Sequence, residues 1–222
     1  VSLDKPGTPQ RVTQGAGTHD TTMSQDARVF VDKYSSTGTP PNVTLRNATG
    51  SVIQVLVPNK LDSAHPYAPY VDENVPVEFG TLNAADGQTL YYRMVKPRNL
   101  EPGKRYPVLF DVYGGPARQR VVNAWGNLFH QYLAQHGYVV FTLDNRGTNR
   151  RGTKFENAIY RAMGSAEVQD QLAALDWLKQ QEPAIAFDVS RLKTAEDWTR
   201  AGEVVFDAPI FYDTDFRVVS AG

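Results

Sequence analysis

Two near-continuous apolar runs, Tyr106-Pro107-Val108-Leu109-Phe110-Asp111-Val112-Tyr113 and Tyr138-Val139-Val140-Phe141-Thr142-Leu143-Asp144, constrain the fold of this chain more than any other feature. Successive side chains of a strand point to opposite faces, so a strand with one wet face alternates apolar and polar residues. Runs without that alternation have no wet face. They fit central strands of a mostly parallel sheet, covered on both sides. Between them, residues 127–136 space Leu128, Phe129, Tyr132 and Leu133 as a helix would, and Gly137 supplies a natural left-handed stop. The result is a strand-helix-strand unit and an α/β architecture. Downstream, Val168, Leu172, Leu175, Trp177 and Leu178 recur at three-to-four spacing, so residues 165–181 are expected to form the clearest helix, capped by the Ser165 hydroxyl.

The sequence before this region has a different texture. Short β-type runs at Arg11–Thr13, Arg28–Val31, Asn42–Leu45 and Ser51–Val57 are separated by Gly, Pro, Ser, Thr and Asn, notably at Thr37–Pro41 and Asn47–Gly50. This spacing predicts one four-stranded antiparallel sheet over residues 1–57. A lone sheet of that size has two faces and little to bury them against, so neighbouring sheets are expected, as in a propeller blade. Residues 58–75, with Pro58, Pro66 and Pro69, read as a linker and mark a domain boundary. A hairpin follows, Pro76–Leu82 and Gln88–Val95, turned by Asn83-Ala84-Ala85-Asp86-Gly87. Residues 76–182 then form the α/β part, and 183–222 a tail of different organisation. In that tail Pro183–Phe187 could be a brief extended piece and Thr194 could cap a short helix over 195–205. If Pro183–Phe187 entered the sheet beside Tyr138–Asp144, it would close a rudimentary α/β core.

Charge and cysteine content exclude several function classes. The 23 basic and 24 acidic residues are spread along all 222 positions, so no footprint for nucleic acid or an anionic membrane is present. The absence of cysteine removes disulfide frameworks, thiolate metal sites and a cysteine nucleophile. No apolar stretch is long enough to cross a bilayer. Val1 opens polar, turn-rich sequence without a signal pattern, so the start reads as the middle of something larger.

Asp111-Val112-Tyr113-Gly114-Gly115-Pro116 stands where a buried strand runs into a glycine-rich loop. Open α/β sheets place ligands at such strand ends, because glycine lets backbone amides approach a reacting group. The alternative is a flexible turn with Tyr113 as a packing aromatic. The order of motifs then becomes specific. Lys104-Arg105-Tyr106-Pro107-Val108, the Asp111–Pro116 motif, Asp144-Asn145-Arg146-Gly147-Thr148, Gly152-Thr153-Lys154-Phe155 and Met163-Gly164-Ser165-Ala166-Glu167-Val168-Gln169-Asp170-Gln171 together resemble the opening of the catalytic domain of dipeptidyl peptidase IV-type serine peptidases, in the prolyl oligopeptidase family. The resemblance runs back through His65-Pro66-Tyr67-Ala68-Pro69-Tyr70 into the four-stranded sheet, and its motifs cover residues 1–182.

That resemblance implies the terminal blade of a β-propeller followed by the first part of an α/β-hydrolase domain. It implies release of dipeptides from peptide amino termini, with proline preferred at the second position, through an acyl-enzyme formed on serine. Tyr113 holds the position of the family's oxyanion-stabilising tyrosine. No cofactor is implied; the partners implied are a peptide substrate in the complete enzyme and a second copy in a homodimer, and the location implied is periplasmic or extracytoplasmic.

The family's nucleophile sits on a G-W-S-x-G-G elbow, a strained turn that lifts the serine hydroxyl clear of the sheet. No G-x-S-x-G occurs in these 222 residues, and the nearest approach, Val218-Val219-Ser220-Ala221-Gly222, lacks the first glycine. His19, His65, His130 and His136 do not fall at the family's catalytic position and are expected to be structural or solvated. No pair of them has the spacing of a metal site. Asp144 and Arg146 are expected to form a structural ion pair. The chain is therefore expected to carry one electrophilic helper and its scaffold, and to be catalytically incompetent alone. The alternatives are a non-catalytic interaction protein, or a fused or frame-shifted product in which 183–222 come from elsewhere.

Overall fold

A computed structural model describes residue 7, residues 10–102, 104 and 106–181, and the strand residues 210–212 and 218–220. Two compact units are present: Val1–Asn74 with Val121–Phe129, and Val75–Arg120 with His130–Gly222.

The first unit contains one antiparallel sheet in the order β1-β2-β3-β4, formed by β1 (Thr18–Met23), β2 (Val29–Ser36), β3 (Thr39–Asn47) and β4 (Val52–Val57). Three of the four expected strands are found. The first is displaced: Arg11–Thr13 lies outside any strand, and the Thr-rich stretch Thr18–Met23 pairs with β2 instead. That stretch carries no apolar alternation, because most of its residues are exposed. β3 also begins earlier than expected and includes Pro40 and Pro41. Its pairing with β4 starts only at Val43, so at the prolines β3 has one neighbour and their missing N–H costs no ladder bond on the other side.

Register brings His19, Asp32, Tyr34, Thr44 and Arg46 onto one face of this sheet. There the buried Asp32 carboxylate meets His19 Nδ1 at 2.9 Å and Arg46 Nε at 2.9 Å. The segment 121–129 is tied to the same unit through Asn123, whose carbonyl oxygen accepts from Thr18 Oγ1 (2.9 Å) and whose Oδ1 accepts from the Thr37 amide (3.0 Å). Within residues 58–75 a single short 3₁₀ helix (Ala68–Glu73) forms, and the Tyr67 ring meets Trp125 edge-on at 5.3 Å.

The second unit is built on a mixed sheet in the order β5-β6-β8-β7, from β5 (Val77–Asn83), β6 (Thr89–Val95), β7 (Val108–Phe110) and β8 (Val139–Asp144). β5 and β6 are the expected hairpin, and its turn is closed by the Ala84 amide on Gln88 O at 2.8 Å and the Gly87 amide on Ala84 O at 2.9 Å. β7 runs parallel to β8, and β6 antiparallel to it. The two apolar runs are thus adjacent parallel strands. β8 is buried along its whole length, whereas β7 has one neighbour among the described residues and is partly covered. β8 is flanked on both sides, so no further strand can enter beside Tyr138–Asp144. Any addition must join at β7 or β5. Pro183–Phe187 and the expected 195–205 helix lie outside the described residues. Two three-residue strands, β9 (Ile210–Tyr212) and β10 (Val218–Ser220), pair antiparallel in the tail.

Among the described residues three α-helices follow in the chain: α1 (Leu128–Gln135), the single turn α2 (Thr153–Glu156) and α3 (Ala166–Gln181). Alternation along β8 separates two cores. Val139, Phe141 and Leu143 pack with Leu82, Leu90, Met94, Phe155, Ala174 and Leu178, on the α3 side. Val140 packs with Val75, Val95, Leu133 and Ala134, on the α1 side. Burial of side chains this size contributes roughly 1.5–3 kcal/mol each.

α1 falls where the spacing predicts it, but its buried face differs. Phe129 and Tyr132 are exposed, and the helix buries His130, Gln131, Leu133 and Ala134. The amide of Gln131 explains part of this choice, since its Oε1 accepts the Val75 N–H (2.8 Å) and its Nε2 donates to the Val75 carbonyl (3.0 Å). α3 forms as expected, with Leu175 and Leu178 buried but Val168 and Leu172 exposed. Ser165 does not cap it through its hydroxyl, which donates back to the Ala162 carbonyl. The Glu167 carboxylate takes that place, accepting the Gly164 amide and, at 3.2 Å, the Ser165 amide. A carboxylate in the first turn also suits the positive end of the helix dipole.

Candidate functional site

Parallel strands β7 and β8 end side by side, and Asp111, the residue after β7, and Asp144, the last residue of β8, open the two loops that build the site. The Asp111 amide continues the ladder by donating to the Phe141 carbonyl at 2.8 Å. On the α1 face the apolar cluster gives way toward these strand ends to Arg93, His130 and the two carboxylates. Opposite Thr142 in β6 lies Arg93, and opposite Asp144 lies Tyr91.

Asp111 is the electrostatic centre. Arg120 Nη2 donates to its Oδ1 at 2.6 Å and also to Oδ2, and His130 Nε2 lies 3.4 Å from Oδ2. The Arg120 backbone amide meanwhile donates to Asp144 Oδ1 at 2.7 Å, so this one residue engages both strand-end carboxylates. Arg93 is buried nearby; desolvation pulls its guanidinium below the ordinary value and the Asp111 charge pulls the other way. Burial also lowers His130 from 6.5 to about 4, with Asp111 opposing and the two arginines assisting, so the imidazole is neutral at pH 7.

The loop from Asp111 to Arg120 carries Tyr113, which is 44% exposed. Among the described residues its ring meets the Arg118 guanidinium at 5.4 Å. Gly115 passes under that ring, where an added Cβ would stand 3.2 Å from Tyr113 Cε1 and would press the ring a few tenths of an ångström aside. The loop is fastened to the turn after β8 by the Ala117 amide on Gly147 O (3.1 Å) and by Asn145 Nδ2 on Gly114 O (3.4 Å).

That turn is anchored in turn to α3. Arg146 gives Asp170 its backbone amide (2.7 Å), its Nε (3.0 Å to each oxygen) and its Nη2 (2.7 Å), and its Nη1 reaches Asp86 at 3.1 Å. The Asp170 carboxylate holds the Arg146 guanidinium above its ordinary value. The expected Asp144–Arg146 ion pair is therefore replaced by two separate pairings: Arg146 binds Asp170 and Asp86, and Asp144 receives Arg120. Gly147 has φ +101°, and a Cβ there would stand 2.3 Å from Ile159 Cδ1, which is why this turn needs glycine.

The other sequence candidates lie elsewhere. His19 belongs to the Asp32 cluster of the first unit, His65 Nδ1 accepts the Tyr67 amide at 3.1 Å, and His136 Nδ1 lies 2.8 Å from the Tyr132 carbonyl. Ser220 is the last residue of β10, and its side chain lies outside the described features. Sequence reasoning missed Arg93 and Arg120. Arg93 left a trace: in Leu90-Tyr91-Tyr92-Arg93-Met94-Val95 it occupies the face that also carries Val95, and a cation on a covered face requires a carboxylate opposite.

Residues 127–192 match the prolyl oligopeptidase family, and residues 1–41 match the dipeptidyl peptidase IV N-terminal region. Dipeptidyl peptidase 8 of Homo sapiens is 34% identical over 231 aligned positions, covering 100% of this chain and 25% of that protein. Dipeptidyl peptidase 4 of Trichophyton equinum is 43% identical over 108 positions, 46% of this chain and 14% of the relative. The crystal structure of Porphyromonas gingivalis dipeptidyl peptidase 4 superposes with a TM-score of 0.70 at 30% identity, over 79% of this chain and 25% of that one. The chain thus spans a quarter or less of the length of these relatives. Both the family match, which ends at residue 192, and the full-length alignment continue past residue 182, where the motif resemblance stops.

Proposed function

The chain belongs to the dipeptidyl peptidase IV-like prolyl oligopeptidase family, and from that premise we propose that it supplies the oxyanion-stabilising part of a serine exopeptidase that releases X-Pro dipeptides from peptide amino termini. In that reaction a serine oxygen, passing its proton to the complete enzyme's histidine, attacks the carbonyl carbon of the second residue; the carbonyl oxygen gains the negative charge and accepts a hydrogen bond from the Tyr113 hydroxyl, and the C–N bond then breaks as the histidine returns the proton to the leaving amine. One such donor lowers the barrier by roughly 2.7–4 kcal/mol, because it acts where charge develops and needs no reorganisation. The observation that carries this reading is the exposed Tyr113, held on a fastened glycine loop at the ends of two adjacent parallel strands.

The 222 residues contain no nucleophile elbow, and loss of the nucleophile from such a machine costs on the order of 10⁶ in turnover. The chain alone is therefore inert toward an X-Pro chromogenic dipeptide. Turnover by the pure chain, abolished by a serine-directed phosphonate, would overturn this. The role of Tyr113 is tested in a chimera that continues the chain with the elbow-to-histidine region of a dipeptidyl peptidase 4. There Tyr113→Phe lowers kcat roughly 10²–10³-fold; an unchanged kcat removes the tyrosine from the mechanism. An extracytoplasmic location belongs to the same reading and is checked by fractionation of the native host.

A second reading, a non-catalytic interaction protein, draws on β4, whose Val52, Ile53, Val55, Leu56 and Val57 are all exposed. A clean monomer in size-exclusion chromatography argues against it.

A further inference from the structure

Tyr113 is aimed by its backbone, because its ring is half exposed and its described ring contact is a guanidinium 5.4 Å away. What fixes that backbone is therefore what fixes the phenol. Beyond the Asp111 amide on β8 and the His130 imidazole beside the Asp111 carboxylate, three connections hold residues 111–120 among the described residues. Two are single hydrogen bonds to the neighbouring turn, at Ala117 and Gly114. The third is Arg120, which closes the loop upon itself by gripping the Asp111 carboxylate with Nη2 and pins the closed loop to β8 through its amide on Asp144. Charge-assisted bonds of this kind are roughly twice as strong as neutral ones.

We propose that Arg120 is a positioning residue that holds Tyr113 in place by clasping the two ends of its loop together at the strand termini. This rests on the reading of Tyr113 as oxyanion donor, but the clasp can be tested without turnover. Asp111 also faces Arg93 and His130, on β6 and α1, so removing the Arg120 side chain leaves the carboxylate with charged and polar neighbours. The Arg120 amide remains to bind Asp144. Loss of the clasp should free the loop and leave the sheet beneath it intact.

The test is ¹⁹F NMR of the full chain carrying 3-fluorotyrosine at its 11 tyrosines, with the Tyr113 line assigned by its disappearance in Tyr113→Phe. In Arg120→Ala the Tyr113 line moves by more than its linewidth or broadens, while the lines of Tyr92 in the core and Tyr34 in the first sheet stay in place. Arg120→Lys, which keeps one donor, gives a smaller change. Leu178→Ala, which weakens the core on the α3 side, leaves the Tyr113 line at the wild-type position, as a merely structural effect would not. If Arg120→Ala disperses no lines, Asp111→Asn replaces it, with the same expected displacement. A Tyr113 line at the wild-type position and width in the folded variant overturns the clasp and leaves the oxyanion reading to stand or fall by the chimera's kcat.

Discussion

The two four-stranded sheets of this chain are stabilised in opposite ways. In β5-β6-β8-β7 both faces are covered along β8, by α1 on one side and α3 on the other, and two apolar clusters share its alternate residues. In β1-β2-β3-β4 the described strands bury only Phe30, Asp32, Pro40 and Thr44, and β4 is exposed throughout. The centre of the first sheet is a carboxylate between a histidine and an arginine; the centre of the second is Phe141 among apolar side chains. A sheet organised around a charge gains little from transfer of apolar surface, whereas one covered on both faces gains most of its stability that way. The second sheet is also the one that presents Tyr113.

The sharpest break in this contrast is expected from Asp170→Ala. It removes the carboxylate that holds Arg146 to α3, leaving the largely buried guanidinium only the Ala166 carbonyl at 3.4 Å and Asp86, which costs roughly 3–5 kcal/mol. Urea unfolding followed by Trp177 fluorescence reads the loss, and a midpoint within error of wild type refutes the anchoring of the turn. Next in size is acid sensitivity. His130 sits at about 4 when folded against 6.5 when free, so between those values the unfolded chain takes up a proton that the folded one refuses. Stability in the second unit therefore falls as pH drops through that window, by at most about 2 kcal/mol at pH 5. His130→Gln should flatten the dependence over that range; an unchanged slope excludes the histidine as its source.

Smaller effects compare equivalent changes in the two sheets. Val140→Thr places a hydroxyl in a closed apolar cluster and costs about 1–3 kcal/mol. Val55→Thr, on the exposed strand β4, stays within about 0.5 kcal/mol. Equal losses at the two positions in a thermal-unfolding series would erase the distinction between the sheets.

How far the sequence disclosed this follows from the same contrast. Unalternating runs gave β7 and β8, and helical spacing gave α1 and α3, because large apolar burial leaves a periodic signature. The Asp86-Gly87 turn was legible from its residues alone. By contrast, β1 reads as polar loop, since a strand with little buried surface has no pattern to show. The face of α1 was misread because a bidentate amide and a histidine, Gln131 and His130, take inward positions that apolar counting assigns to Phe129 and Tyr132. The Tyr113 loop was visible as glycine after a buried strand. Its fastening was not, because Arg120, Asp111 and Asp144 meet only when two strands separated by a helix lie side by side. Ion pairs across that distance carry no local spacing, and the Arg146 pairing with Asp170 was missed for the same reason.

The central claim is that the sheet of the second unit carries a core on each face and holds the Tyr113 loop, while the first sheet is only thinly buried. Amide hydrogen exchange on the intact chain tests it most directly. The account predicts slow exchange, near the global unfolding limit, for Val139–Asp144, and rapid exchange for the outward amides of Val52–Val57. Equal protection of the two strands, or rapid exchange along Val139–Asp144, would contradict it.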